Sequence, residues 1–421
     1  MACKCLARLG IRSLSEVLRT SLRNDEAPIR PTRTTKMGAD LPRLHRHYHR
    51  GHMNYTAHAD GPVDHMDATK YPPVACSLCF SDQGLRLDAE QFQLDYESVM
   101  PCPNCGLTGG KRLPKEALET LAHRYFVWGS LWRGDYGGAP RVQFNRKQTT
   151  TINVSPWLKP DLALFERLLG IGFFHYGPRL WMLGHVTPLE HLRNSGTRAP
   201  VIQRIINEYP SVSYGEDNTF YRLRSSPSAP ADPIQYDSPP DEYLGSGRID
   251  SPSLPVLYAS PDLDTCLHEC RVTAEDETYV ATMRPTRPLR LLNLAALLRE
   301  ATQVTEFESL DIAVHMLFLA GKHAYEIIRE IALAARHANF DGVIYPSYFS
   351  LIRLGIMPFQ TIYGISHRIV PQLQDHEESK AVPNLALFGR PIKSGDVCVH
   401  SIDRIVLAHV RYGYHFGPSA F

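Results

Sequence analysis

Two short cysteine pairs constrain this chain more than any other feature. Cys76-Ser-Leu-Cys79 and Cys102-Pro-Asn-Cys105 are both Cys-x2-Cys, with 22 residues between them. Each pair presents two sulfurs from one tight turn, so the two turns together can close a tetrahedral shell of four thiolates around Zn²⁺. Four protein ligands leave no open coordination position, and the expected site is therefore structural and not catalytic. The spacing is slightly longer than the usual ribbon range, which a longer connecting loop absorbs. Neither pair sits in a strand–helix–strand pattern of the kind that carries redox dithiols. Nine cysteines in 421 residues are too sparse, and odd in number, for a disulfide framework. Their placement points to a reducing cytoplasm.

The length suggests two to three domains, and a hydrophobic fraction of 43% with 21% charged residues is that of a globular chain. No apolar run reaches the roughly 18 residues that a membrane helix needs, so no membrane partner is expected. A net charge of +1 excludes whole-molecule electrostatics as the driver of nucleic-acid or membrane binding. The charge is uneven, however: residues 1–50 hold eleven Lys or Arg against four acids, and a histidine-dense run with His45, His47, His49 and His52 follows. Leu6 to Leu22 has the spacing of a short basic amphipathic helix, without the apolar run of an export signal. Beyond Leu22 the tail has too little apolar surface to fold alone. Residues 1–70 are thus expected to be a basic, His-rich, disordered tail, with nucleic-acid or metal binding as its sharper alternative.

Residues 71–113 form the expected zinc-ribbon-like module. Residues 114–214 read as a mostly helical connecting region: Leu118, Leu121, Ala122 and Tyr125 recur at helical spacing after Pro114, and Asp161–Leu169 and Pro188–Asn194 follow. From residue 215 strands mix with helices. Phe220–Arg224, Leu254–Ser260, Tyr279–Met283, Leu289–Leu294, Gly342–Tyr345 and Arg404–Tyr414 read as strands, and Asp262–Val272 and Asp311–Ala338 as helices, the latter broken near Gly321. The Pro/Ser-rich stretch Ser225–Pro240 is either a lid or a disordered loop. Without regular strand–helix alternation, residues 215–421 are expected to be an α+β domain.

No phosphate-binding P-loop, dinucleotide fingerprint, His-Glu-x-x-His or Gly-x-Ser-x-Gly motif occurs. What remains is a dispersed polar set at element ends: Arg222 in Phe220-Tyr221-Arg222, Arg248 after Gly245-Ser-Gly, Tyr258 on the following strand, Glu269 on the next helix and Ser347 after Tyr345-Pro346. Singly, each has an ordinary structural explanation as a surface ion-pair, packing or turn residue. As a set they have order and distance. Arg248, Tyr258 and Glu269 follow one another at gaps of 10 and 11. This pattern resembles the RES domain, a family named for its Arg, Glu and Ser positions. Phe220-Tyr221-Arg222 is similar to its opening strand, and Asp341-Gly-Val-Ile-Tyr-Pro-Ser347 to its serine-bearing strand end.

The resemblance spans roughly residues 215–400 and implies an ADP-ribosyltransferase-like fold that consumes NAD⁺. Such domains serve as toxins of RES–Xre toxin–antitoxin pairs. The resemblance implies cleavage of the nicotinamide–ribose bond by phosphate, yielding nicotinamide and ADP-ribose 1″-phosphate. ADP-ribosylation of a protein or nucleic acid is one alternative, and a nucleic-acid-binding zinc ribbon with an inactive RES domain is another. It further implies a protein antitoxin as partner. In this scheme Glu269 stabilises the positive ribose or orients its hydroxyls, Arg248 and Arg222 hold phosphates, Tyr258 packs against a ring of the substrate, Tyr221 joins Arg222 in binding it, and Ser347 bonds near the nicotinamide ribose. The family commonly has Gly-Arg-Trp-Asn, whereas Ile249 and Asp250 follow Arg248 here. A carboxylate beside a phosphate-binding arginine would oppose an anionic substrate.

Overall fold

The structure is a computed structural model that describes residues 71–92, 100–177, 185–350, 366–410 and 412–421. The tail at 1–70, with the expected Leu6–Leu22 helix and the His-rich run, lies outside the described residues. No described helix is long and apolar enough to cross a membrane.

The first module is built around the cysteine turns. Strand β1 (Pro73–Cys76) pairs antiparallel with β2 (Arg112–Pro114), which brings the first turn against the chain that leaves the second. Helix α1 (Gln83–Glu90) starts at Asp82, whose side chain accepts from Leu85 N. The buried carboxylate of Asp161 then accepts from Ser81 N and Asp82 N, both at 2.7 Å, so the chain entering this helix is held as well as its first turn. As the periodicity predicts, α2 (Lys115–Ala122) follows Pro114 and buries Leu118 and Leu121. Next come the hairpin β3 (Leu131–Gly134)–β4 (Gly137–Pro140), then β5 (Val142–Asn145), α3 (Lys159–Leu169) and β6 (Gly172–His175), which pairs with β5. These four strands add to a region whose sequence reads as mostly helical. Each is only four residues long, too short for alternation to stand out, and β3, β4 and β6 also carry Gly or Pro. The module's core centres on Phe80, Phe126, Phe165 and Phe173, with the Phe126 and Phe173 rings 4.5 Å apart.

The remaining chain runs α4 (Thr187–Arg193), α5 (Arg198–Glu208), β7 (Ser211–Tyr214), β8 (Phe220–Ser225), β9 (Val256–Ala259), α6 (Leu263–Cys270), β10 (Thr278–Pro285), β11 (Leu289–Asn293), α7 (Leu310–Leu319), α8 (Tyr325–His337), β12 (Gly342–Pro346), α9 (Gln374–Ser379), β13 (Pro383–Phe388) and β14 (Val397–Ile405). Five strands form one sheet in the order β7-β11-β12-β13-β9, and three form another in the order β14-β10-β8. Among the described strands only β11 and β12 pair in parallel; α7 and α8 lie in the connection between them, as a parallel crossover requires. The sheets meet where Tyr221 and Ser260 exchange backbone hydrogen bonds of 2.8 and 3.0 Å, so the end of β9 and the start of α6 lie against β8. This is an α+β architecture.

The main core joins Leu189 of α4 and Ile205 of α5 to Leu317, Ile328, Val343 and Ala386. It therefore runs across the boundary placed at 214/215, because the apolar stripes of α4 and α5 have α7 and α8 as their cover. The strand expected at Arg404–Tyr414 is displaced. β14 pairs with β10 from Val397 to Ile405, and Ile405 already lies opposite Thr278, the first residue of β10. Val406, Val410, Tyr412 and Tyr414 keep the alternation but are exposed, since β10 ends opposite Ile405 and no other described strand pairs with them. The Ser225–Pro240 stretch packs instead of lidding: Tyr236 is wholly buried, and Arg224 Nε donates to Gln235 O at 3.0 Å.

A buried ion pair pins the segment after residue 365. Arg368 Nε and Nη2 donate to Asp311 Oδ2 and Oδ1 at 2.5 and 2.9 Å, and Leu298 N donates to Oδ1 at 2.7 Å. Removing one partner leaves the other charge buried, so Arg368→Met is expected to cost about 3–5 kcal/mol. The double variant Asp311→Leu/Arg368→Met should lose less. Urea midpoints of the two variants check this.

Candidate active site and metal centre

The four cysteines converge as their spacing predicts. Neighbouring sulfurs lie 3.8 Å (Cys76–Cys79), 3.7 Å (Cys76–Cys105) and 3.6 Å (Cys79–Cys102) apart, and all four fall within 4.8 Å of one another. A regular tetrahedron with zinc–sulfur bonds of about 2.3 Å has edges of about 3.8 Å, so the donor set fits Zn²⁺ in size and in chemistry. A surrounding layer holds the sulfurs in place. Asn104 Nδ2 donates to Cys79 Sγ at 3.2 Å, and Arg167 Nη2 holds the Asn104 carbonyl at 2.8 Å. The second turn closes through Gly106 N on Cys102 O at 2.8 Å, with Gly106 at φ +74°, a conformation that glycine adopts without a Cβ penalty. Behind it, the buried guanidinium of Arg112 bonds the carbonyls of Met100, Leu107 and Gly109.

The second constellation lies where the two large sheets meet. Glu269 stands in the last turn of α6. Its Oε1 accepts from Ser347 Oγ at 2.6 Å and from Asn384 Nδ2 at 2.7 Å. Ser347 is fixed in turn: its N–H donates to Val382 O at 2.8 Å, and its Oγ accepts from Phe349 N at 3.1 Å. The His268 ring stacks on Phe349 at 6.0 Å, which ties the end of α6 to the turn after β12. One carboxylate oxygen is thus held by two donors, while the side chain as a whole stays open to solvent.

Arg248 and Tyr258 form one unit. The Tyr258 hydroxyl donates to Asp250 Oδ1 at 2.7 Å and accepts from Ile249 N and Asp250 N at 2.8 and 2.9 Å. Asp250 Oδ2 accepts from Gly245 N at 2.5 Å. Both oxygens of the carboxylate that follows Arg248 are therefore committed inside the turn. Burial first, then Asp250, pushes the Tyr258 hydroxyl well above its usual range, so it acts as a fixed hydrogen-bonding strut. Arg248 Nη1 bonds Phe318 O at 2.6 Å, and its guanidinium lies 5.2 Å from the Tyr325 ring. Gly247 has no room for a side chain: a Cβ would come 2.0 Å from Asp250 Oδ1 and 2.8 Å from the Tyr258 hydroxyl. Gly247→Ala must break that strut, and a loss of about 1–3 kcal/mol in denaturant unfolding is expected.

Arg222 is 7% exposed and spans to β9, where Nη1 donates to Tyr258 O at 2.7 Å. Its buried Nε has no partner. Burial, then the charge of Arg224, pulls Arg222 down to about 9, so it is still a cation at neutral pH, with little nearby to compensate it. An anionic ligand would supply that compensation. Tyr221 is on the adjacent pleat, packed with Leu223 and Cys266 on the α6 side.

Glu269 and Ser347 are thus in direct contact, the Tyr258 hydroxyl braces the turn that carries Arg248, and Arg222 is tied to Tyr258. Glu269, Tyr258 and Arg248 all act on the buried hydroxyl of Tyr345, whose burial, with the Glu269 charge next, pushes it far above its usual range. Two residues of this site are not among the candidates that the sequence offers. Asn384 follows Pro383 on an otherwise apolar strand, where a lone buried amide is the only signal. Tyr345 reads from sequence as a core residue of β12.

The fold and site together define an α+β protein with a carboxylate–serine–arginine centre beside a separate four-cysteine cluster. Residues 219–353 match the RES domain model. That segment holds Tyr221, Arg222, Arg248, Tyr258, Glu269 and Ser347, and excludes Asn384 and the cysteines. Among solved structures, the crystal structure of the M. tuberculosis MbcT-MbcA toxin-antitoxin complex is similar at 14% identity, covering 51% of this chain and 94% of that one, with a TM-score of 0.27. No curated protein matches the chain.

Proposed function

We propose that this protein cleaves the bond between nicotinamide and ribose in NAD⁺, with inorganic phosphate as acceptor. The products are nicotinamide and ADP-ribose 1″-phosphate, and the cellular consequence is NAD⁺ depletion by a toxin. The match of residues 219–353 to the RES domain supports the reading, and the hydrogen-bonded Glu269 carboxylate carries it. As the C1″–N bond breaks, its electron pair leaves with nicotinamide and positive charge grows on the ribose. A carboxylate fixed in advance stabilises that charge without reorganising at the moment of reaction. Ser347 and Asn384 donate to Oε1 and so aim the other oxygen. A phosphate oxygen then forms the new bond to C1″. Arg248 and the buried Arg222 are the cations suited to the dinucleotide's pyrophosphate or to the incoming phosphate, since a guanidinium pairs two oxygens at once.

In this reading Tyr258 serves by holding the Arg248 turn, and the four cysteines bind one structural Zn²⁺. An enzyme that drains NAD⁺ must be restrained in the cytoplasm that makes it, so a protein antitoxin covering the cleft is the expected partner. The test is mass spectrometry of small molecules and of the intact protein after incubation with NAD⁺, with and without phosphate. Phosphate-dependent ADP-ribose 1″-phosphate is the expected product. A protein mass gain of one ADP-ribose would shift the reading to transferase, and undiminished NAD⁺ in both samples would sink it.

A further inference from the structure

The turn that carries Arg248 belongs to no helix or strand, so its backbone groups depend on side chains for partners. Asp250 and Tyr258 take its amides: Gly245 N donates to Asp250, and Ile249 N and Asp250 N donate to the Tyr258 hydroxyl. Its carbonyls are held from elsewhere. Arg329, on α8, donates through Nη2 to Gly245 O and to Gly247 O, both at 2.6 Å. Nη2 carries two hydrogens, so one nitrogen serves both carbonyls. Among the described residues these are the only side-chain hydrogen bonds of Arg329, and its buried Nε has no partner. Its neighbours on α8 are spent differently, since Glu326 and Glu330 both accept from Arg198 of α5. Tyr325 stands one helical turn before Arg329. Its ring lies 5.9 Å from the Arg329 guanidinium and 5.2 Å from that of Arg248, within cation–π reach of both. Arg248 is therefore tied at both ends to one helical layer: its guanidinium to Phe318 O of α7 and to the Tyr325 ring, its turn to Arg329. Glu269 is fixed instead by Ser347, at the end of β12, and by Asn384 of β13. The sheet sets the carboxylate half of the site, and α7 and α8 set the cationic half.

We infer that Arg329 is a positioning residue: by holding Gly245 O and Gly247 O it fixes where Arg248 stands, and so how tightly the site grips a phosphate group of the reactants. Its effect on turnover rests on the NAD⁺ reading above. Arg329→Met keeps the length of the side chain and removes the donor. Hydrogen exchange of the peptide spanning residues 244–251 should then be about tenfold faster, the worth of one charge-assisted hydrogen bond, while α8 and β9 exchange as in the wild type. Arg329→Lys, whose ammonium can donate to both carbonyls, should exchange at an intermediate rate, and it serves alone if the Met variant does not fold. In turnover of the full chain, Arg329→Met should raise KM for NAD⁺ or for phosphate about tenfold and leave kcat within about threefold. Beside Arg248→Ala it should add nothing, because its route to the substrate runs through Arg248.

A residue that only stabilises the fold would not show that coupling. Additive effects of the two substitutions, or a lowered kcat at unchanged KM, would overturn the inference. Unchanged exchange in the turn would overturn it too, as would exchange that rises throughout the chain. The exchange arm needs no substrate and so keeps the two claims apart. Faster exchange confined to the turn, in a chain that never consumes NAD⁺, upholds the hold of Arg329 on Arg248 and sinks only the NAD⁺ reading.

Discussion

Glu269→Gln is expected to lower kcat for NAD⁺ cleavage by about a thousandfold while the protein stays folded. A unit charge about 4 Å from a developing cation is worth about 4 kcal/mol at the effective dielectric of a half-wet site, which converts to about three decades of rate. Glu269 is exposed, so the larger values of a dry interior do not apply. Glutamine keeps the acceptor for Ser347 Oγ and Asn384 Nδ2 and removes only the charge. KM for NAD⁺ should hardly move, because the charge acts on a cation present only in the transition state. Ser347→Ala is gentler, since Asn384 still holds the same oxygen, and about a tenfold loss of kcat is expected from one missing donor. Stopped assays of nicotinamide release at saturating NAD⁺ read both. A Glu269→Gln chain with wild-type kcat would remove the carboxylate from the chemistry.

The second large effect is metal removal. Elemental analysis of the purified protein should find one zinc per chain, and Cys79→Ser should lose it. Isolated zinc-finger peptides draw about 10–16 kcal/mol from their metal, because nothing else folds them. This module has its own aromatic core around Phe126 and Phe173, so stripping should unfold the two cysteine turns and the β1–β2 pair more than the helices behind them. A strong chelator should therefore lower the melting temperature of the first module and expose the four thiols to a thiol reagent. A chain that melts identically with and without chelator, with no zinc bound, would leave the sulfur cluster unexplained.

The sequence reveals the convergence of the four cysteines, because Cys-x2-Cys fixes local geometry within a single turn and pairing of β1 with β2 does the rest. The Arg248–Tyr258–Glu269 gaps are legible for a related reason: turn, strand and helix follow one another without insertion, so spacing along the chain becomes spacing in the fold. Asn384 escapes that logic. It arrives through antiparallel pairing of β13 with β12 and carries no local periodicity that a single sequence displays. Asp250 shows the opposite failure. Read linearly, a carboxylate beside Arg248 opposes an anionic substrate; in three dimensions it is spent on Tyr258 and Gly245. The misplaced last strand follows from the same limit, since alternation at Val406–Tyr414 says nothing of whether a partner strand reaches that far.

The most direct measurement of the central claim is the time course of nicotinamide release from NAD⁺ by the full-length wild-type chain, beside a Glu269→Gln chain of equal zinc content. The account predicts steady release that depends on phosphate, matched mole for mole by ADP-ribose 1″-phosphate and nearly absent from the variant. Equal release by both proteins, or none by a wild-type chain shown to be folded, would contradict it.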